Sequence, residues 1–385
     1  MNTPVSLFSQ ILSLIPKDKF MRIVAEYQGD KHKQSFDSYD HLVSMVFCHL
    51  AQANSLREIC GGLKICGGKL NHLGVGEAPS KSNLSYSNAH RDYRIFEKAF
   101  YALLGECQNH APRHKFSFKK KLYSLDATTI ELCVKAFPWA KYRQTKGAVK
   151  LHLLLDHDGY LPVFMDFTEG KVHEINSARR MELPRDSIVA CDRGYIDWSM
   201  LYQWNQRGVF FVSRLKQNTL HEEQTVNLKQ YPGNVLKDEI IFLSGKNSRN
   251  DYPERLRKIT VCDLKNRKTL ELVTNNFELD AQTIADIYKE RWQIECFFKI
   301  LKQNLKVKTF VGTSENAVKI QVWTALISLL LVKYLKFLSQ AEWHISTLVA
   351  FLRWNLFVYR NLREWLDNPF AKPPNIDSEQ MEFTF

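Results

Sequence analysis

The chain has 385 residues, 45% of them hydrophobic and 24% charged, with a formal net charge of +12 and a pI near 9.2. Those values exclude a disordered or low-complexity protein and leave enough chain for two or three domains with cores of their own. The basic excess suits a polyanion partner. The eight cysteines are scattered without a CxxC pair, and Cys60, Cys66 and His72 lack the fourth ligand and tight pairing of a zinc site. Reduced thiols and no zinc are therefore expected. The longest apolar run, 324–332, stops at Lys333 and is too short to span a bilayer, and no signal-peptide pattern opens the chain. The expectation is a cytoplasmic protein with no membrane partner.

Residues 1–110 read as helical. Leu7, Ile11, Leu12 and Ile15 form one apolar face, which Pro16 ends or restarts. Residues 41–53 are a second apolar helix, and Ser55-Leu-Arg-Glu58 is a capping-box pattern opening another. Gly61-Gly62 and Gly67-Gly68 break the chain twice, and a polar, Ser-rich stretch from Ser80 to Arg91 leads into an aromatic helix over 93–104. Short helices with glycine turns fit a helix-turn-helix DNA reader and fit a plain bundle equally well. The basic cluster Arg113, His114, Lys115, Lys119, Lys120 and Lys121 follows as a linker.

From Leu122 the period changes. Residues 122–130 read as a strand with Asp126 on the face of Leu122 and Ser124. Strands at 149–156 and 160–167 flank Asp158-Gly159, a hairpin signature. His173, Glu174 and a polar helix come next. The continuous apolar run 188–191 then suits a strand buried on both faces. Asp192 stands at its carboxyl end, before Gly194 and a helix through Leu201 and Trp204, and ligands of open α/β sheets bind at that edge. Residues 209–214 form another strand. The stretch 216–275 reads as β-rich, with strands at 239–243, 258–263 and 269–274 and polar turns at 245–250 and 265–267.

Residues 281–302 contain no Gly or Pro and read as one helix. At about 100° per residue, Tyr288, Arg291, Glu295 and Lys302 share a stripe about 60° wide, beside an apolar stripe of Ile287, Ile294, Phe298, Leu301 and Leu305. The plain reading is a solvated face with charge pairs. A lone carboxylate between two cations instead suits a site that holds a metal and grips phosphate. A long apolar helix over about 315–338 follows, then a helical stretch with Trp343, Trp354 and Trp365, and a tail that Pro373-Pro374 marks as frayed.

The spacing Tyr288-(2)-Arg291-(3)-Glu295-(6)-Lys302 resembles the signature of the insertion-sequence transposases of type four, a large bacterial family with a DDE active site. The order strand, hairpin, helix, strand, helix, strand over 122–214 is similar to their ribonuclease-H-like α/β core, with one Asp on the first strand and the second just after the fourth. The resemblance implies a helical N-terminal DNA-binding domain at 1–110, a catalytic domain at 120–310 with a β-rich insertion at about 216–275, and C-terminal helices at 311–370. It implies Asp126, Asp192 and Glu295 as catalytic acids holding two Mg²⁺ ions, with Mn²⁺ as a substitute. It also implies DNA contacts from Tyr288, Arg291, Lys302, Arg214 and Lys216. The partners would be double-stranded DNA, as terminal inverted repeats and as target, with a homodimer on paired ends at the bacterial nucleoid.

Asp156, Asp158, Asp166 and Asp197 are rival acids, of which Asp156 and Asp158 read as turn chemistry. His173-Glu174 resembles a further family segment, as a support for the site or as a surface turn. An aromatic expected three or four residues after Gly194 leaves Tyr195 and Trp198 both in play. Two other functions stay open: a ribonuclease-H-like nuclease that cuts without joining, and a non-catalytic DNA-binding relic, which would have no need of intact carboxylates.

Overall fold

A computed structural model describes residues 5–31, 35–66, 68–140, 147–226, 233–263, 268–305 and 309–371. The turn at 265–267 and the tail with Pro373-Pro374 lie outside the described residues. The first third is helical: α1 (Leu7–Leu12), α2 (Lys17–Glu26), α3 (Ser38–Leu50), α4 (Leu56–Ile65), α5 (Lys81–His90) and α6 (Arg94–Gln108). Side-chain caps set several of the starts: Asp37 accepts from the Asp40 amide, Ser55 from Glu58 and Ser80 from Asn83. The Ser-rich stretch read as a lead-in is thus itself a helix, α5. It lacks an apolar period and is held by contacts across the fold, among them Asn88 Oδ1 with His41 Nε2 at 2.9 Å.

The chain then runs β1 (Leu122–Leu132), β2 (Gly147–Asp156), β3 (Leu161–Glu169), α7 (Glu174–Ala178), β4 (Ile188–Cys191), α8 (Trp198–Gln206) and β5 (Phe210–Arg214). After these come β6 (His221–Val226), β7 (Val235–Leu243), α9 (Lys246–Asp251), β8 (Leu256–Asp263) and β9 (Lys268–Thr274). The last elements are α10 (Ala281–Glu290), α11 (Gln293–Asn304), α12 (Glu315–Leu338), α13 (Ile345–Asn355) and α14 (Leu362–Asp367). The nine strands make one sheet in the order β3-β2-β1-β4-β5-β9-β8-β7-β6. β1, β4 and β5 are parallel, and the remaining pairings are antiparallel.

The β-rich stretch after β5 therefore prolongs the central sheet through the β5–β9 pairing. Two of its elements escape the sequence pattern. β6 is His-Glu-Glu-Gln-Thr-Val, an edge strand without apolar alternation, and the polar turn expected at 245–250 contains the short helix α9.

Apolar side chains cover both faces of the sheet. α8 packs with Tyr123, Leu125, Val189 and Cys191 on one face, and α10 with Leu122, Ile188, Ala190 and Val212 on the other. α12 is long and apolar enough to cross a membrane, but 89% of its most apolar window is buried within the protein. A helix apolar on all sides needs neighbours all round, and α3, α5, α6 and α13 supply them. The N-terminal helices and α12 thus belong to one hydrophobic core, which also takes in Ile130, Leu132 and Leu151 of the sheet.

The helix expected over 281–302 is broken. α10 ends at Glu290 and α11 starts at Gln293. The Arg291 amide is shared between the carbonyls of Ile287 (3.3 Å) and Tyr288 (3.2 Å), a tightened turn between the two helices. The single stripe drawn from Tyr288 to Lys302 is accordingly two short stripes on successive helices.

Candidate active site

Strand alternation and register bring the two aspartates together. Leu125 and Cys191 are partners across the parallel β1–β4 pair, so Asp126 follows on β1 where Asp192 follows the end of β4. Leu122, Ile188 and Ala190 face α10, while Leu125 and Cys191 face α8. Asp126 shares the face of Leu122, toward α10 and α11. Glu295 reaches Asp126 through one side chain: Arg291 Nη1 stands 3.1 Å from Asp126 Oδ2, and Nη2 donates to Glu295 Oε1 at 2.7 Å.

The electrostatics record the crowding. Burial pushes the Asp126 carboxyl up to about 6. The Ala127 N–H (2.8 Å) and the Arg291 charge oppose that rise, and the charges of Glu295 and Asp192 add to it. Asp192 occupies the N-cap position of a short turn, Arg193–Tyr195, yet makes no capping bond. Its carboxylate has no hydrogen bond or ion pair among the described residues. Asp126 and Glu295 thus share one guanidinium, and Asp192 beside Asp126 has no cation of its own among the described residues.

The rival acids are all engaged. Lys121 Nζ holds Asp156 Oδ2 at 2.8 Å and Asp158 Oδ2 at 2.7 Å. Asp166 accepts from Ser177 Oγ at 2.7 Å and pairs with Arg180. Asp197 caps α8 at the Met200 amide and pairs with Arg179 at 2.8 Å. Each plays a local structural role; Asp192, of the same residue type, plays none.

Lys302 lies against β1, donating to Thr128 Oγ1 at 2.6 Å and to the Thr129 carbonyl at 2.8 Å. Tyr288 is half-buried, with the Arg291 guanidinium 6.0 Å from its ring centre. Its hydroxyl titrates above the usual phenol range, chiefly through burial, and the charge of Arg214 at the end of β5 reaches it. Lys216 donates to the Ile196 carbonyl at 3.0 Å, tying β5 to the loop that follows Asp192. His173 caps α7, and Glu174 pairs with Lys150 of β2 at 3.3 Å.

Of the two aromatics after Gly194, Trp198 packs edge-on to Tyr252, away from the acids. Tyr195 is buried with a hydroxyl that has no partner. Its phenol is raised first by burial and then by the charges of Asp126, Glu174 and Asp192. Only its place directly after Asp192-Arg193-Gly194 hinted at this; sequence reasoning left it unassigned.

Carboxylate oxygens are the donors a hard divalent cation takes, and an unpartnered Asp192 beside a neutralising Asp126 is an acid set short of positive charge. The donor chemistry fits such an ion. Among the described residues no three His, Cys, Asp or Glu side chains stand close enough to ligate one together, and Arg291 lies between Asp126 and Glu295.

Residues 117–331, which include both aspartates, Glu295 and Lys302, match the transposase DDE domain family, and residues 3–76 match a domain of unknown function (DUF4372). A probable transposase for insertion sequence element IS5377 of Geobacillus stearothermophilus is 30% identical over 264 residues, covering 68% of this chain and 69% of that protein. The protein named as transposase y4zB of Sinorhizobium fredii is 28% identical over 343 residues, covering 85% and 93%. The cryo-EM structure of a piggyBac transposase synaptic complex with hairpin DNA aligns with a TM-score of 0.45 at 12% identity, covering 95% of this chain and 81% of that one. That structural likeness is too loose to carry an argument.

Proposed function

The chain belongs to the transposase DDE family, enzymes that cut DNA and transfer its strands, and from that premise we propose that Asp126, Asp192 and Glu295 are its catalytic acids, acting at the inverted-repeat ends of an insertion sequence. One observation carries the reading: β1 and β4 run parallel in a register that sets Asp126 beside Asp192, while α11 offers Glu295 to the same point through Arg291. The strand order β3-β2-β1-β4-β5, with β1, β4 and β5 parallel, supports a ribonuclease-H-like core. The four spaced residues Tyr288, Arg291, Glu295 and Lys302 support the type-four branch of the family.

The three acids would hold Mg²⁺, for which Mn²⁺ could substitute. When bound, a pair of such ions supplies an activated oxygen nucleophile and neutralises the leaving oxygen of a phosphodiester. The side chains do the rest. Arg291 fixes Glu295 relative to Asp126 and would keep a delocalised cation beside the scissile phosphate. Lys302, anchored on Thr128 and Thr129, would meet a flanking phosphate, as would Arg214 from β5 with Tyr288 beside it. Lys216 would act through the loop it ties down. Because both ends of an element must be cut and joined, the working form would be a homodimer on paired ends, with residues 1–110 reading the terminal repeat.

The test uses purified full-length protein, Mg²⁺ and a labelled duplex carrying the element's terminal repeat, with nicks and joined products scored separately. Both products are expected, and only from the repeat. A protein that nicks any duplex and never joins ends is a nuclease instead.

A further inference from the structure

The flank of α11 turned away from Glu295 and Lys302 borders a cleft of about 720 Å³. Gln293, Cys296, Phe297 and Ile300 of α11 form one wall. The linker 110–115, the hairpin turn 157–160, the second half of α12 and the entry to α13 close the others. The residues lining it include no Asp or Glu, while Arg113, Lys115, His157, Lys333, Lys336 and His344 converge on it from separate elements. Of the carboxylates beside it, Glu290 at the end of α10 is already held by Lys115 and by the Tyr160 hydroxyl at 3.1 Å, and Asp158 by Lys121 at 2.7 Å.

Two buried groups in this cleft lack a complement. Lys333 is 6% exposed; its one hydrogen bond among the described residues goes to the Gly159 carbonyl at 3.1 Å, and it has no acidic partner there. An ammonium buried without a counter-charge is costly. Burial and the neighbouring Lys336 accordingly lower its pKa to about 7. His157 is 2% exposed; its Nε2 contacts Ser124 Oγ at 2.7 Å, and its Nδ1 has no partner. On the rim, Arg113 and Lys336 are exposed and have no ion pair among the described residues. A buried ammonium and rim cations without counter-charge, over a floor that Phe297 and Phe337 keep apolar, want an anion that brings several oxygens at once.

We propose that this cleft docks the phosphodiester backbone of DNA, as a second contact surface on the far flank of α11 from the acids. It rests on the transposase reading and adds to it. A duplex engaged at the acids and a stretch of backbone held behind α11 would clamp that helix between them. Contacts of this kind are to phosphate, so they add affinity without sequence preference. They also place DNA against the junction where the N-terminal helices, α12 and the sheet meet.

The experiment measures binding of a labelled duplex by full-length protein across a salt series, in an Asp126→Asn background so that DNA is not consumed. Arg113→Gln with Lys336→Gln removes two rim contacts without touching the core. The expected result is a loss of roughly tenfold in affinity and a fall of about two in the slope of log K against log salt, for terminal-repeat and random duplex alike. Lys333→Met, checked for folding by its melting temperature, should lower affinity in the same direction. Unchanged affinity and slope in the double variant overturn the proposal. So does protection of Lys336 from an acylating reagent by deoxyadenosine monophosphate as strong as by duplex, since the cleft would then be a small-ligand site. Failure of the underlying function shows elsewhere: wild-type protein would neither bind nor cut the terminal repeat, whereas failure of the cleft alone leaves both intact.

Discussion

Two points along β1, its start and its middle, gather nearly the same residue types to opposite effect. At its start, Lys121 lies between Asp156 and Asp158, and the His114 and Asp158 amides complete the hydrogen bonding of those acids. Further along, Asp126 and Glu295 share Arg291, while Asp192 beside them has no partner among the described residues. The first cluster is satisfied, and a satisfied buried acid is structural. The second is left short of cation, which is a cost to the fold and an opening for a ligand. Residue type does not separate the two clusters; the count of local partners does.

The sharpest break of that comparison is to neutralise the acids one at a time. Asp126→Asn, Asp192→Asn and Glu295→Gln should each lower Mg²⁺-dependent strand cleavage by about a thousandfold or more, roughly 4 kcal/mol of barrier. DNA affinity should stay within a few-fold, because it comes mainly from phosphate contacts elsewhere. Robust nicking by any one variant takes that residue out of the site. The same experiment on the structural cluster, Asp158→Asn, should leave cleavage nearly intact.

Next in size is Arg291→Lys. A lysine keeps the charge but cannot bridge Asp126 and Glu295 as a planar fork does. Misplacement of the acids by about 1 Å can cost roughly a hundredfold in rate. The loss should fall on joined products more than on nicks, read as the ratio of the two in one reaction. Wild-type joining by this variant would make the Arg291 bridge incidental.

Lys121→Met tests the other cluster and should show in stability rather than chemistry. It strands Asp156, whose side chain is 3% exposed, and removing one partner of a buried pair costs about 3–5 kcal/mol. Because the Lys121 side chain is itself 43% exposed, solvent screening reduces that to about 2 kcal/mol. Denaturant midpoints measure it. Cleavage well below the melting temperature should change by no more than a few-fold.

Of similar size is a dependence on pH in metal-free buffer. The Asp126 carboxyl is raised from 3.8 to about 6 in the folded chain. A raised folded pKa favours the fold below about 4, and that advantage is lost as pH climbs through about 6. Between pH 4 and 7, wild type should therefore lose about 1–3 kcal/mol of stability relative to Asp126→Asn. Adding Mg²⁺ should return part of it to wild type and none to the variant. Parallel stability curves for the two proteins would remove the electrostatic strain from Asp126.

Much of the fold could be read locally. The 188–191 run, the Asp158-Gly159 hairpin and the long helix ending at Leu338 all announce themselves through period and turn chemistry, and all are present. What escaped reading lacks a local signature. α5 and β6 are polar elements that contacts across the fold hold in place. The break at Arg291–Trp292 has no glycine or proline to mark it. Nor does any pattern in 1–110 foretell that its helices close their core on α12, some two hundred residues on.

The candidate site divides the same way. Spacing over one helical turn is a local property, so Arg291 and Glu295, four residues apart, meet across the turn that joins α10 to α11. An acid after an apolar strand is likewise a local fact, and Asp126 and Asp192 could be named from it. Which acid stands free is decided across the sheet. The β1–β4 register brings Asp192 beside Asp126, while Lys121, one residue before β1, reaches the end of β2 and takes Asp156 and Asp158 out of play. Those pairings depend on which strands become neighbours, and only the folded chain makes that choice, because a charge is matched or left unmatched by what lies within a few ångströms of it in space.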